Sequence, residues 1–322
     1  MRIAFFGTGE FSKSILEDLV KNYKEIEVSL VVSQIDKPTG RKQELLPTPI
    51  KEFALNNNLN VLQPEKLKEN FELFDKLKSL SLDFIVVVAY GKIIPIEILE
   101  IPKYGCINIH GSILPNYRGA SPIQESLKNG DKKTGLTIMY MSKGMDEGDI
   151  LKIEEIEINI LDKTPDIFAK FEQIGAKILV ESLEKIISGK LKGISQDNSK
   201  ATYCKKIEKE DGKIDFENEN VEQIYNKFRA YFPWPGIWSF YKGKKLDITN
   251  CFFEENNIIF DEDFKLGDVV EFENEGKKEI GILCKGGILI LYKVKLEGKK
   301  EMSIKDFLNG NKDFLEYNFI LG

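Results

Sequence analysis

Apolar positions in the first 190 residues alternate between short runs, which predict strands, and stripes with helical spacing. Residues 83–90 are almost continuously apolar, which is typical of a central strand in a parallel sheet. Across 164–189 apolar residues recur at helical spacing, which predicts a long helix ended by Gly189. Strands and helices that alternate in this way predict an α/β domain with a Rossmann-like parallel sheet over 1–190. The other elements predicted there are strands over 2–6, 28–34, 106–110, 135–141 and 150–158, and helices over 50–57, 64–80 and 122–128.

The pattern of hydrophobic and polar positions changes after residue 190. Residues 191–207 are mostly polar and show no period, so we predict a linker between two domains. Short strands separated by turns follow, and their regular spacing predicts a small β-barrel domain over 208–322. The predicted strands cover 239–241, 245–249, 268–272, 280–284 and 287–294, and a last helix covers 303–308.

Composition narrows the class of protein. A chain of 322 residues with 42% hydrophobic and 30% charged residues is expected to form two ordinary globular domains. The longest apolar run, 84–89, is too short to span a membrane, and the amino terminus resembles a first strand and not a signal peptide. None of the four cysteines forms a CxxC pair, so we expect no metal site and no disulfide framework. The expected location is the cytoplasm, and the expected state is a monomer.

The charge of the chain argues against a protein that coats nucleic acid without specificity, because the net charge is −6. A local basic patch remains compatible with that value. The chain uses only four arginines, and three of them, Arg41, Arg118 and Arg229, lie in motif-like stretches. Since a guanidinium forms forked hydrogen bonds that an ammonium cannot, these positions are candidates for specific contacts.

Candidate chemistry is concentrated at the end of the predicted strand 106–110. Asn108 and His110, the only histidine of the chain, lie two residues apart and therefore share one face of that strand. Imidazole can transfer a proton near neutral pH, and an amide can stabilise an oxyanion. Asp146, in the glycine-punctuated loop 143–148, could orient His110 and favour its protonated form. The alternatives are that His110 is a hydrogen-bonded core residue and that Asp146 only caps a turn.

A nucleotide site is weakly indicated at the amino terminus. The first strand, the turn at 7–12 and the following helical stripe form a Rossmann-like opening. However, Ser12 stands where the dinucleotide motif has its third glycine, and no acidic residue ends the second strand. A nicotinamide-dependent dehydrogenase is therefore a weaker alternative.

Five stretches of the chain form recognisable motifs. They are Asn-Ile-His at 108–110, Ser-Ile-Leu-Pro at 112–115, Arg-Gly-Ala-Ser-Pro at 118–122, the stretch 134–149 and Phe-Pro-Trp-Pro-Gly-Ile-Trp at 232–238. Together they resemble the motifs of the folate-dependent formyltransferases, and most closely those of the members that act on initiator methionyl-tRNA. The resemblance extends over nearly the whole chain and implies that the second domain is OB-like. It implies transfer of a formyl group from 10-formyltetrahydrofolate, a co-substrate, to the α-amino group of methionine on initiator tRNA, with no metal.

The same resemblance implies roles for individual residues. Asn108, His110 and Asp146 would be catalytic, and Arg41, in the long loop 34–49, would contact the acceptor end of the tRNA. The remaining expected contacts are to folate from Tyr90, Gly91, Ser112, Ile113, Leu114 and Pro115, and to tRNA from the basic pair Lys205 and Lys206.

Two further alternatives stay open. A formyltransferase with the same three catalytic residues could act on glycinamide ribotide or on an amino sugar, although the second domain argues against the ribotide enzyme. A non-catalytic RNA-binding protein could have kept the scaffold, although the intact Asn108, His110 and Asp146 argue against that.

Overall fold

The computed structural model describes residues 1–39, 44–255, 264–274 and 276–321. The chain divides into two compact units. The first unit comprises Met1–Pro122, Lys133–Glu157 and Ile167–Lys205, and the second comprises Ile123–Lys132, Ile158–Asp166 and Lys206–Gly322. Within the described residues, no helix combines the length and apolar character needed to cross a bilayer.

The first unit contains eleven of the described strands. They are β1 (Arg2–Gly7), β2 (Glu27–Val32), β3 (Lys37–Thr39), β4 (Glu44–Leu46), β5 (Val61–Leu62), β6 (Phe84–Val88), β7 (Cys106–His110), β8 (Arg118–Gly119), β9 (Lys133–Tyr140), β10 (Ile150–Glu157) and β11 (Tyr203–Cys204). Seven of them form the main sheet, in the order β10-β9-β7-β6-β1-β2-β5. Five of the seven run parallel, whereas β9 and β10 are antiparallel to their neighbours. The small pairs β3–β4 and β8–β11 lie outside this sheet.

Helices cover the apolar sheet, because strand β6 consists entirely of buried apolar residues and needs apolar partners on both faces. On one face α3 and α4 pack against β1 and β6. The described helices of the chain are α1 (Glu10–Asn22), α2 (Pro49–Asn56), α3 (Phe71–Ser79), α4 (Ile96–Leu99), α5 (Pro122–Lys128), α6 (Thr164–Ile187), α7 (Val221–Tyr231) and α8 (Ile304–Gly310).

The helix predicted over 64–80 is wrong in its first half, since α3 begins only at Phe71. Asn70 precedes the helix, and its side-chain oxygen accepts a hydrogen bond from the Leu73 amide at 3.0 Å. Glu69 has φ +60°, a left-handed conformation that cannot continue an α-helix. The apolar residues before Asn70 therefore reach the hydrophobic core from a segment without regular secondary structure.

The strands of the second unit are β12 (Ile237–Tyr241), β13 (Lys244–Glu255), β14 (Val269–Asn274), β15 (Lys277–Cys284), β16 (Gly287–Leu296) and β17 (Met302–Ser303). They form an antiparallel sheet in the order β12-β13-β16-β15-β14, with β17 beside β16. Strand β13 is longer than the predicted strand 245–249 and continues through irregular pairing at Asn250. The buried Arg229 of α7 donates to the carbonyl oxygens of Asn159 and Asp162 at 3.2 Å each. An α/β domain followed by a β domain confirms the predicted fold class.

Helix α7 begins with a capping box, in which two residues pair reciprocally and stabilise the start of the helix. The Asn220 side chain accepts from the Gln223 amide, and the Gln223 side chain accepts from the Asn220 amide, both at 2.8 Å. We expect Asn220→Ala to lower the free energy of unfolding of this unit by about 1 kcal/mol, because one helix-end amide loses its partner. Urea denaturation followed by circular dichroism measures this change. Asn220→Ser is the control, since serine also caps; equal losses in both variants would contradict the explanation.

Candidate active site

The candidate site begins at the carboxyl end of β7, where the predicted pair of polar residues lies inside the sheet. Asn108 is paired with Val87 of β6 and Met139 of β9, and His110 is paired with Thr137. Both side chains are buried, with 9% and 6% of their surface exposed. The side-chain amide of Asn108 forms no hydrogen bond with any described residue. Its nitrogen and oxygen are not among the fully buried polar atoms that lack a partner, so they are accessible to a ligand that enters the site.

The two ring nitrogens of His110 have different surroundings. Nε2 lies 2.9 Å from the carbonyl oxygen of Tyr117, to which it donates a hydrogen bond. Nδ1 faces Oδ2 of Asp146 at 3.7 Å, which is an ion-pair distance but too long for a hydrogen bond. One nitrogen is thus fixed by the backbone, whereas the other faces a carboxylate and keeps its hydrogen-bonding capacity.

Asp146 is brought to His110 by the loop between β9 and β10. Its backbone has φ +50°, an unusual value for a residue other than glycine. Its Oδ2 atom accepts a hydrogen bond of 2.9 Å from the Gly119 amide of β8. His110 and Asp146 are 36 positions apart in the chain. The fold brings their side chains together, as the sequence predicted.

A second layer of polar residues, which the sequence analysis did not assign to the site, holds this loop. The Gln196 side chain donates from Nε2 to the carbonyl oxygens of Asp146 and Gly148, at 2.9 and 2.7 Å. Its Oε1 atom accepts from Arg118, which is 1% exposed. The motif around Arg118 was a signal of importance, but Gln196 lies in the segment predicted to be a linker, and no local pattern distinguishes it.

The turn after β7 contains four of the residues predicted to bind folate. Ser112 and Leu114 are buried, and the Ser112 hydroxyl donates to the Asn116 carbonyl at 2.6 Å. Thr137 of β9 supports the turn: its hydroxyl donates to the Ser112 carbonyl at 2.6 Å and accepts from the Leu114 amide at 3.3 Å. Ile113 and Pro115 remain partly exposed. The structure therefore leaves Ile113 and Pro115 as the side chains of this turn that a ligand can reach.

The other predicted folate contacts, Tyr90 and Gly91, follow strand β6. The Tyr90 carbonyl accepts from the Thr8 hydroxyl at 3.1 Å and from the Gln34 amide at 2.6 Å. The Tyr90 hydroxyl is buried without a hydrogen-bond partner among the described residues, and burial raises its pKa to about 12. Gly91 has φ +76°, and a Cβ there would lie 2.8 Å from the Gln34 side-chain nitrogen, so glycine lets the chain turn away beside Gln34.

The residues predicted to contact tRNA are basic. Lys205 and Lys206 are exposed, and along the chain they are the last residue of the first unit and the first residue of the segment 206–322 of the second. Arg41 lies outside the described residues, between the short strands β3 and β4. Among the described residues, no group of three or more histidine, cysteine, aspartate and glutamate side chains is arranged to hold a metal ion.

Comparison with known protein families connects this geometry to a class of enzyme. A model described as "Formyl transferase" matches residues 1–183, and a model described as "Formyl transferase, C-terminal domain" matches residues 206–312. A protein named methionyl-tRNA formyltransferase from Caldicellulosiruptor saccharolyticus is 47% identical over 314 residues, which cover 97% of each chain. The chain belongs to the methionyl-tRNA formyltransferase family. It is therefore an enzyme of a transferase family, which the sequence motifs had predicted.

Members of this family from other bacteria match equally completely. A methionyl-tRNA formyltransferase from Dictyoglomus thermophilum is 44% identical over 310 residues and covers 96% of this chain and 97% of its own. One from Clostridium tetani is 39% identical over 312 residues, with 97% of each chain covered. These relatives match both units of the chain.

Solved structures share the fold at much lower identity. The sugar 3N-formyltransferase WlaRD, crystallised in the presence of dTDP and 5-N-formyltetrahydrofolate, aligns with a TM-score of 0.62 at 22% identity and covers 93% of this chain and 99% of its own. An N-formyltransferase from Helicobacter canadensis, in complex with folinic acid and dTDP-3-aminofucose, has the same TM-score at 20% identity and covers 90% of this chain and 98% of its own. At this identity the likeness shows the fold alone.

Proposed function

We propose that this protein transfers a formyl group from 10-formyltetrahydrofolate to the α-amino group of methionine on initiator tRNA. The observation that carries the proposal is the side-chain amide of Asn108, which makes no hydrogen bond to a described residue and shares the end of β7 with His110, whose ring faces Asp146. The names of the relatives at 47% and 44% identity favour the same reaction. Because charged initiator tRNA is used in the cytoplasm, the reaction would take place there.

Asn108 is assigned to the oxygen of the formyl group. The neutral α-amine uses its lone pair to attack the formyl carbon, and the carbon–oxygen π electrons move onto the oxygen. The tetrahedral intermediate therefore carries a negative oxygen. A preorganised amide N–H in a site that excludes water stabilises such an oxygen strongly. The side-chain amide of Asn108 supports this assignment, because no described residue holds it in a hydrogen bond and it is available to donate to the intermediate.

His110 and Asp146 are assigned to proton transfer. When the intermediate collapses, the carbon–oxygen double bond re-forms, the bond to the folate nitrogen breaks, and that nitrogen needs a proton. Nδ1 is the ring nitrogen of His110 without a hydrogen bond to a described residue, so we assign delivery of the proton to it. The Asp146 carboxylate, 3.7 Å away, stabilises the charged ring and can help to remove the proton that the amine loses.

The binding roles divide between the two units. Ile113, Pro115 and the turn at Tyr90 and Gly91 are assigned to folate, because they lie after the two strands that flank the site and include a buried hydroxyl without a described partner. Ser112 and Leu114 would support that turn from inside. The region 1–190 would hold the chemistry, and the region 208–322, joined by 191–207, would bind tRNA together with Arg41, Lys205 and Lys206.

The test is an assay with 10-formyltetrahydrofolate and alternative acceptors. Charged initiator tRNA, glycinamide ribotide and a dTDP-linked amino sugar are offered in parallel, and the formylated product is identified by mass spectrometry. Formylation of methionyl-tRNA alone supports the proposal. A preference for the amino sugar would favour the rival that the solved neighbours represent, and no product with any acceptor would overturn the enzymatic assignment.

The role of Arg41 gives a separate prediction. We expect Arg41→Ala to raise the KM for methionyl-tRNA about tenfold, since a fork of charge-assisted hydrogen bonds to phosphate is lost. The KM for 10-formyltetrahydrofolate should change little. Steady-state kinetics with each substrate varied in turn measures both values. Arg2→Ala is the matched control, because Arg2 is exposed and pairs only with Glu27 on the surface; an Arg41 effect confined to folate would contradict the assignment.

A further inference from the structure

The loop that carries Asp146 is held by a side chain from far along the chain. The Asp146 backbone lies in the left-handed region at φ +50°, a conformation that persists in a non-glycine residue only when its surroundings enforce it. The Asp146 carbonyl accepts a hydrogen bond from Nε2 of Gln196, and the same nitrogen donates to the Gly148 carbonyl. Gln196 thus clamps the loop immediately at Asp146 and two residues beyond it.

Arg118 determines which way the Gln196 amide points. Its Nε and Nη2 atoms donate to Oε1 of Gln196 at 3.1 and 2.7 Å. A guanidinium has only donors, so it accepts no hydrogen bond from the amide nitrogen. If the amide were reversed, its NH₂ group would face these donors and its oxygen would face two carbonyl oxygens. Arg118 therefore keeps the donating end of Gln196 toward Asp146.

Arg118 is itself fixed on the first unit. It is 1% exposed, and its remaining donors reach Oδ1 of Asn198 at 2.7 Å and the Tyr203 hydroxyl at 3.4 Å. Strand β8, which carries it, pairs with β11 so closely that a Cβ on Gly119 would lie 2.2 Å from the Cys204 carbonyl oxygen. The Gly119 amide in turn donates to the Asp146 carboxylate. Strand β8 thus supports the Asp146 carboxylate through the Gly119 amide, and it orients the Gln196 side chain through Arg118.

We propose that Gln196, oriented by Arg118, is a positioning residue for formyl transfer, which fixes Asp146 opposite His110. The inference rests on the proposed function, since it assumes that Asp146 acts in the reaction. It assigns a role in the site to a segment that precedes Lys205 and Lys206. This segment lies outside strand β7 and outside the loop between β9 and β10, which carry the reacting groups. Gln196 contacts no reacting atom and acts through Asp146.

Gln196→Glu is the diagnostic variant. The new carboxylate keeps the shape of the side chain and its contact with Arg118, but it places an anion against the carbonyl oxygens of Asp146 and Gly148. We expect kcat to fall about 10²-fold, because a shift of about 1 Å in a supporting group can have that effect. The KM values for folate and tRNA should stay within about threefold, since only a transition-state interaction is weakened. Gln196→Met, which cannot donate, should lower kcat in the same way.

Three controls separate positioning from a loss of fold. Ser195→Ala removes a neighbouring hydrogen bond from the same segment to Asp149, at 2.9 Å, and should leave kcat unchanged. The thermal unfolding midpoint of each variant is measured in parallel. Gln196→Met is also combined with Asp146→Asn and assayed under single-turnover conditions; if Gln196 acts through Asp146, the double variant should be no slower than Asp146→Asn alone.

The outcomes of these experiments distinguish the positioning role of Gln196 from the proposed formyl transfer itself. A lower kcat in both Gln196 variants that disappears in the Asp146→Asn background supports the inference. Unchanged kcat in either Gln196 variant, or a reduction that persists in full on Asp146→Asn, overturns it while leaving the proposed function intact. Wild-type turnover in Asp146→Asn alone overturns the catalytic assignment of Asp146 itself, and the inference falls with it.

Discussion

Replacement of His110 by alanine is expected to lower kcat about 10³-fold or more while the fold is retained. The imidazole is assigned to deliver a proton and to stabilise charge, and loss of a general acid alone typically reduces a rate 10²–10⁴-fold. Stability should fall by about 1–3 kcal/mol, because the ring is buried and the Tyr117 carbonyl loses its hydrogen-bond partner. Single-turnover formylation of methionyl-tRNA measures the rate, and circular dichroism verifies the fold.

The His110 prediction has a control in the formyl donor. A donor whose leaving group needs no proton should recover much of the lost rate in His110→Ala, whereas a damaged pocket would not respond to the leaving group. His110→Asn keeps a polar side chain of similar size and should be slow as well. Turnover close to wild type in either variant would remove His110 from the mechanism.

Replacement of Asn108 by alanine is expected to lower kcat about 10²–10³-fold, which corresponds to about 2.7–4 kcal/mol of lost stabilisation of the oxyanion. The amide makes no hydrogen bond to a described residue, so its removal should not destabilise the sheet. The same fall should be seen in kcat/KM, because the interaction exists only in the transition state. Rapid-quench measurement with saturating folate gives the value.

Two comparisons test the Asn108 explanation. Asn108→Asp is nearly the same size but places a negative charge beside the developing oxyanion, so it should be at least as slow as Asn108→Ala. Asn22→Ala changes an exposed asparagine, whose amide contacts only Asp18, and should have no effect on the rate. If Asn108→Asp were faster than Asn108→Ala, size and not hydrogen bonding would explain the loss.

The features that the sequence predicted correctly are those that depend on residues close together in the chain. Strand β6 was predicted because a short, continuous apolar run is typical of a central strand in a parallel sheet. Asn108 and His110 were predicted to share a face because side chains alternate along any strand. By contrast, the start of α3 depended on the left-handed Glu69, which no apolar pattern indicates.

The sequence alone determined the alternation of strands and helices, the two-part organisation, and the amide and imidazole at the end of one strand, because each is set by residues within about ten positions of one another. The sequence indicated that Asp146 could pair with His110, but the distance between the two side chains came only from the fold. The tertiary structure alone decided that Gln196, from a segment without any periodic pattern, holds the Asp146 loop with the help of the buried Arg118. Such contacts join residues some 50 to 80 positions apart, and only the folded backbone brings their donors and acceptors within hydrogen-bonding distance.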